Sequence, residues 1–363
     1  MSTAQMKQDI LQLQDRYLYY MDYNKKKSQA DSYLKLNSDI KEGNISRFFI
    51  FYGEERYLLE HSLSTLRLLL CPEGQGSFNF KRFDGNNISA GQLGEAVDTL
   101  PVFAERTLIE VHDFDIFAGT NKERLHEILT DLPDYVCIIF VYSTIEYKPD
   151  GRLKTTKDIL KNAYIVEFCQ QEKNKLVKWI KVHFQDAGKT ISAEDAEYLA
   201  FITGGLMTSL HGEIEKVSAY ATTQNISRSD IDTVVTPVLD AVSYKLTDCI
   251  INRKHKTALK LLDDLFQMRE APHKLIYTIS LRMRQLLAAK ICIDKGIGKP
   301  EFMAMCGINY DIQARSLIDT ARNTTLSKCK NYILECSHTA LELNSTTEPE
   351  SRMIELIGRL SVM

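Results

Sequence analysis

Between residues 45 and 170 the chain alternates short runs of consecutive apolar residues with stretches in which apolar positions recur every three or four residues. An unbroken apolar run rich in β-branched and aromatic side chains predicts a strand buried on both faces, and the 3.6-residue recurrence predicts a helix with one face on the core. Phe48–Tyr52 is the first such strand, Gly53 turns the chain, and Leu59, Leu63, Leu66 and Leu70 then share one helical stripe. The order repeats. Residues 78–85 read as a strand, 88–100 as a helix capped by Ser89, Thr107–Val111 as a strand and Asn121–Leu129 as a helix. Tyr135–Tyr142 is the most apolar strand, followed by a helix over Thr155–Asn162 and a last strand at Tyr164–Phe168. This alternation predicts a parallel sheet with helices on both faces.

Strand signals largely stop after residue 170. Helices are predicted over 173–187, with Leu176, Trp179, Ile180 and Phe184 on one stripe, from Ser192 to Gly204, over 206–222, and over 227–235 before Pro237. From Leu239 onward six more helical segments follow, at 239–251, 255–268, 271–296, 310–323, 326–344 and 349–363. Residues 1–44 form a polar, Tyr-rich extension, with one helix over Leu11, Leu13, Tyr17 and Tyr20, the run Lys25–Lys27 and then a looser stretch. The expected fold class is therefore α/β plus all-α: a 1–44 extension, a 45–170 parallel-sheet domain, a small 171–237 helical domain and a 238–363 helical domain. No period of 20 to 50 residues repeats, which argues against a solenoid.

At 363 residues, 44% hydrophobic, with 8 Pro and 17 Gly, the chain has ample material for two or three cores and is neither collagen-like nor disordered. The net charge of −3 leaves no global footprint of a protein that binds nucleic acid by its own field. Residues 238–363 carry 18 Lys and Arg against 14 Asp and Glu, a local +4 that leaves −7 for the rest. A solvated helical surface accounts for that imbalance as well as a DNA-facing one. The eight cysteines are scattered at spacings unlike those of zinc ligands, so reduced, mostly structural thiols are expected. The first residues lack the apolar core of a signal peptide and the longest apolar run has eight residues, which points to the cytoplasm and away from a membrane.

The loop between the first strand and its helix is where a nucleotide-binding sheet would hold phosphate with backbone amides and a lysine. Here it reads Gly53-Glu54-Glu55-Arg56, two carboxylates in place of glycines and Lys-Ser/Thr. Gly298-Lys299 follows no strand and runs into Pro300, and is expected as a loop. Asp113 sits where a magnesium carboxylate would stand, but is expected as a solvated strand end. His126-Glu127 lacks the second histidine of a zinc helix, and no nucleophile, base and acid can be assembled. No catalytic residue, cofactor or metal is expected. The segment Leu100-Pro101-Val102-Phe103, between a helix and a strand, is an apolar tip that either tucks under the neighbouring helix or meets a partner; periodicity alone favours the core.

The ordered set FFIFYGEERYLLE, LPVFAERTLIEV, IIFVYS with PDGRLK, IVEF, SLHGEIEKVSAYA and LRMRQLLAAK resembles the delta-subunit family of the bacterial DNA polymerase III clamp loader, from about residue 33 onward. The resemblance implies an AAA+-like sheet domain without a working phosphate loop, a helical lid and a C-terminal helical collar. It implies a protein that is not an enzyme by itself, the DNA-directed DNA polymerase activity belonging to the assembly. Its implied partners are the ring-shaped sliding clamp (the beta subunit), the tau/gamma ATPase subunits and a delta-prime subunit in a hetero-pentamer, and primer–template DNA through that assembly; its implied place is the nucleoid-associated replisome. The residues matching the family's clamp-gripping tip are Leu100, Pro101, Val102 and Phe103, with Val102 in place of the usual Leu and Pro101 in place of a small polar residue. Asp150 and Arg152 match a pattern at a subunit contact, or form a local loop ion pair. Arg282, Arg284 and Lys290 are candidates for primer–template phosphates, or belong to a solvated helix face; NSTTEPES near the end replaces the basic, glycine-containing turn of relatives. The competing readings are an AAA+-derived adaptor unrelated to the clamp and a cryptic nucleotide hydrolase.

Overall fold

A computed structural model describes residues 32–71, 76–85, 88–117 and 122–362 of the chain. The helix expected over Leu11–Tyr20 and the run Lys25–Lys27 lie outside the described residues. The chain divides after Gln171 into two compact units.

The first unit is built on a five-stranded sheet, β1 Phe48–Gly53, β2 Phe80–Asp84, β3 Thr107–His112, β4 Val136–Tyr142 and β5 Tyr164–Phe168, in the order β2-β3-β4-β1-β5. Every neighbouring pair is parallel, with Ile50 opposite both Phe140 and Ile165. All residues of β3 and β4 are buried, as expected of central strands with helices on both faces; β4 is apolar throughout, whereas β3 carries Thr107, Glu110 and His112 into the interior. The crossovers are α2 Arg56–Leu70, α4 Ala90–Asp98, α5 Lys122–Thr130 and α6 Lys154–Asn162, with α3 Gly76–Asn79 a single turn before β2. Leu59, Leu63 and Leu66 of α2 are fully buried. Ser89 caps α4 through a reciprocal box with Gln92.

Two departures from the periodicity have physical causes. Residues 78 and 79, expected as the start of a strand, belong to α3, where the Asn79 backbone carbonyl accepts the Cys71 thiol and its side chain bonds the Val102 backbone, contacts with residues outside the segment that its own pattern does not report. Part of the expected loose extension is a helix, α1 over 32–41, lying along edge strand β5. Ser32 Oγ accepts the Glu167 amide at 3.3 Å, Tyr164 donates its hydroxyl to Asp39 at 2.7 Å, and Leu36 is buried. A sheet edge acquires polar partners that no local pattern announces.

In the second unit, α7 Lys173–Asp186, α8 Ala193–Ile202, α9 Met207–Tyr220 and α10 Arg228–Val234 form the first group of helices. A short parallel ladder, β6 Thr190–Ile191 with β7 Asn225–Ile226, ties their loops; two-residue strands are too short to show a period. The remaining helices are α11 Leu239–Ile251, α12 His255–Gln267, α13 Pro272–Asp294, α14 Lys299–Cys306, α15 Asp311–Arg322, α16 Leu326–Leu343 and α17 Pro349–Val362. Helix α14 overturns the expected loop at Gly298-Lys299: Pro300 lies in the first turn, where no amide is needed, and Gly307 closes the helix at φ 62°. Apart from Gln171, segments 171–237 and 238–363 lie within this one unit, with the Phe201 ring packed on Tyr244 and Tyr310 at 5.1 and 5.4 Å. Glu197 also accepts the Asp311 amide at 2.7 Å. The eight cysteines form no disulfide, and no described helix is long and apolar enough to cross a membrane.

One charged group stands inside the sheet. Glu110 of β3 is fully buried, and Arg67 of α2 grips both its oxygens at 2.6 and 2.7 Å, with His112 at 3.3 Å. Burial alone would raise the Glu110 carboxyl; the hydrogen bonds from His112 and Arg67 overcome it and hold the group below the ordinary carboxylate value. Removing one partner of a buried pair leaves an uncompensated charge. Arg67→Ala is therefore expected to cost about 3 kcal/mol in urea unfolding at neutral pH. Because the folded value is depressed, the stabilisation is complete above the ordinary carboxylate range and is lost as pH falls through the folded value, so the difference from wild type should shrink in acid.

Candidate functional site

In open parallel sheets, ligands ordinarily bind outside the carboxyl ends of the strands. Here that edge is occupied by the chain itself. Gly53 ends β1 at φ 132°, and a Cβ there would stand 2.3 Å from the Phe168 carbonyl oxygen, so only glycine fits. The Glu55 amide donates to that same carbonyl at 2.9 Å, and the Glu55 side chain is buried. The Arg56 guanidinium donates to Ser143 Oγ at 2.9 Å, to the Tyr142 carbonyl at 3.2 Å and to the Ser143 carbonyl. The groups that would cradle a phosphate are spent on joining β1 to β4 and β5.

Asp113 completes this seal and corrects the expectation of a solvated strand end. At φ 53°, its Oδ1 accepts the Ser143, Thr144 and Ile145 amides at 2.6, 2.7 and 3.4 Å. Burial pushes the carboxyl up, but these amides outweigh it and hold the group below its ordinary value. His126 is engaged by Asp158 at 3.2 Å. Among the described residues no group of His, Cys, Asp and Glu is arranged to hold a metal ion.

The opposite, amino-terminal edge of the sheet carries the apolar tip. Helix α4 ends at Thr99, whose hydroxyl donates to the Glu95 carbonyl at 2.7 Å, and the chain then runs through Leu100-Pro101-Val102-Phe103 to β3. Periodicity favoured a buried tip; the structure turns it outward. Phe103 is 89% exposed, Val102 44% and Leu100 67%. Phe103 also adopts φ 58°, a left-handed conformation that costs a residue with a Cβ roughly 1–2 kcal/mol. Both sides of the tip are pinned. The buried Asn79 carboxamide donates to the Val102 carbonyl and accepts the Val102 amide, each at 2.7 Å. Beyond the tip, Arg106 donates to the Ile45 carbonyl at 2.9 Å and the Thr107 amide to Tyr135 at 2.7 Å. Asn79 was not among the residues singled out by pattern, since a lone Asn before a strand carries no periodic signal.

The other predicted residues are scattered. Asp150 and Arg152 form a local loop pair, the Arg152 amide donating to Asp150 Oδ1 at 3.0 Å with Nε 3.6 Å from the same oxygen, both side chains largely solvated. Arg282 is not on a DNA-accessible face. It is 6% exposed, donates to Gln285 at 3.2 Å and to the Gln313 carbonyl at 3.2 Å, and lies over the Tyr244 ring at 4.4 Å. Burial pushes this guanidinium down to about 10, so it stays charged at neutral pH as an internal tie between helices rather than a phosphate ligand. Lys290 pairs with Asp294 at 3.5 Å along α13, while Arg284, two residues beyond Arg282, is exposed. Residues two apart point to different sides of a helix, and only one of this pair faces solvent.

Comparison with known proteins bears on the whole chain. The profile of the family described as DNA polymerase III, delta subunit, matches residues 49–169, and that of the DNA polymerase III delta subunit, C-terminal domain, matches residues 240–358. The chain is similar to DNA polymerase III subunit delta of Bacillus subtilis, 24% identical over 324 residues that span 87% of this chain and 93% of the relative. It is similar at 24% over 299 residues to a probable DNA polymerase III subunit delta of Aquifex aeolicus, covering 79% and 83% of the two chains. A solved structure of the Bacillus subtilis DNA clamp loader delta protein aligns with a TM-score of 0.48 at 22% identity, over 91% of this chain and all of that one. With both halves of one family's pattern matched in order on a sheet unit followed by helices, this chain belongs to the delta-subunit family of DNA polymerase III.

Proposed function

We propose that the chain is the arm of a clamp loader that grips the ring-shaped sliding clamp through Leu100, Pro101, Val102 and Phe103, and holds one of the ring's interfaces open for loading on primed DNA. One observation carries the reading: an apolar tip is kept in water on a backbone held at Val102 and again just beyond it at Arg106. A phenyl ring with 89% exposure and a half-exposed valine bring roughly 1.5–3 kcal/mol each of transferable burial, the scale of interface anchors. A ring closed by its own contacts opens only if something binds the open form better, and each 1.4 kcal/mol of preference shifts the open population about tenfold. Two anchors supply such a preference to the extent that they bury more area on the open ring than on the closed one, without nucleotide chemistry in this subunit.

The sealed strand ends support a non-hydrolysing role, with ATP acting on the tau/gamma subunits of a hetero-pentamer that also contains delta-prime. The helices from Leu239 onward serve as the collar in that assembly, and Asp150 with Arg152 lies at a subunit contact. Polymerase activity resides in the holoenzyme, and primer–template DNA is met through the assembly, where Arg284 is the exposed cation of the three first considered.

Phe103→Ala should abolish capture of the sliding clamp from the same cell while changing stability by no more than about 0.5 kcal/mol, because the ring is already in water. Unchanged capture would favour an adaptor with another partner, and ATP turnover by the purified chain would revive the hydrolase reading. In the reconstituted assembly, Arg284→Ala should lower the salt dependence of primer–template binding by about one counterion; Arg282→Ala should instead lower the melting temperature.

A further inference from the structure

Directly behind the tip, α3 presents two side chains with opposite fates. Asn79 is 1% exposed, and its neighbour Phe78 is 76% exposed. The Asn79 carboxamide forms a two-point grip on Val102, one donor and one acceptor, both at 2.7 Å. Among side chains of this length only a carboxamide offers both functions without a charge at neutral pH. Its own backbone carbonyl accepts the Cys71 thiol at 3.6 Å, which fastens α3 to the end of α2. The residue gripped is the one immediately before Phe103, whose φ of 58° is the left-handed value a free loop would leave.

We infer that Asn79 is the positioning residue of the tip, holding Val102 so that Phe103 is presented already in its binding conformation, and that Phe78, carried on the same turn, is a second apolar contact for the partner. This rests on the clamp-gripping reading for the identity of the partner, though not for the brace itself. Two hydrogen bonds thereby staple segment 78–79 to segment 100–103. Fixing a loop before binding removes an ordering cost that the complex would otherwise bear.

The test uses the full chain and the sliding clamp from the same cell, with two readouts: clamp affinity, and hydrogen exchange of the amides of residues 102–104 in the chain alone. Asn79→Asp keeps the acceptor but sets a carboxylate against the Val102 carbonyl. Affinity should fall about tenfold near pH 8, with faster exchange at the tip, and recover relative to wild type as the pH falls through the carboxyl's pKa, which burial beside the Val102 carbonyl raises above the ordinary value of about 3.9, so that the acid form donates again. Asn79→Ala removes both bonds without adding charge and should give the same loss with no recovery in acid, which keeps the inference falsifiable if the Asp variant does not fold. Phe78→Ala should weaken binding severalfold with unchanged exchange and melting temperature. Wild-type exchange at the tip in folded Asn79→Ala overturns the brace, and wild-type affinity in Phe78→Ala overturns the second contact. If wild type does not bind the clamp, or Phe103→Ala binds it equally well, the clamp reading fails, and the exchange measurement still decides whether Asn79 fixes the tip.

Discussion

Water reaches neither face of β3 or β4, and this constraint organises everything around the sheet. A parallel sheet covered on both sides must satisfy each polar group at its strand ends from within the chain, because an unpaired buried amide or carbonyl costs as much as a lost hydrogen bond. At the carboxyl edge the demand is met by Arg56, the Glu55 amide and Asp113, whose bonds converge on Ser143 and Phe168. The edge where this architecture commonly admits a phosphate is thereby closed. At the amino edge the same demand is met by Asn79 and Arg106, but those bonds leave an apolar loop outside rather than drawing it in.

The contrast between the two edges connects fold to task. A scaffold whose strand ends are tied together on one edge has considerable capacity to hold a small surface still on the other. On the proposed clamp-gripping role such rigidity has a use, since a tip that reordered on contact would spend part of its binding free energy on itself and bias the partner less. The internal pair of Arg67 and Glu110 contributes to the same stiffness by linking α2 to the centre of β3, the strand that follows the tip.

Much of this is legible in the amino-acid sequence. The five strands and their crossovers follow from the alternation of short apolar-rich runs with helical stripes, most plainly at β4 where the run is unbroken, and Ser89 and Ser192 mark helix starts chemically. What stayed hidden depended on tertiary context. The 32–41 helix is held by the β5 edge, the β6–β7 ladder is two residues long, and α14 hid behind a proline that reads as a breaker unless its place in the first turn is known. Arg282 looked like a surface cation because its sequence neighbours cannot show the Tyr244 ring and the Gln313 carbonyl that enclose it. The tip was visible as an apolar segment, but its direction was decided by Asn79, some twenty residues upstream, and no local rule reports such a bond.

The central claim is that Phe103 leaves water by entering the sliding clamp. The most direct measurement is fluorine NMR of the full chain carrying a single 4-fluorophenylalanine in place of Phe103, titrated with the clamp. A free resonance sensitive to exchange of H2O for D2O, which shifts on binding and then loses that sensitivity, is the predicted result. A resonance that keeps its solvent-exposed position at saturating clamp would contradict the account.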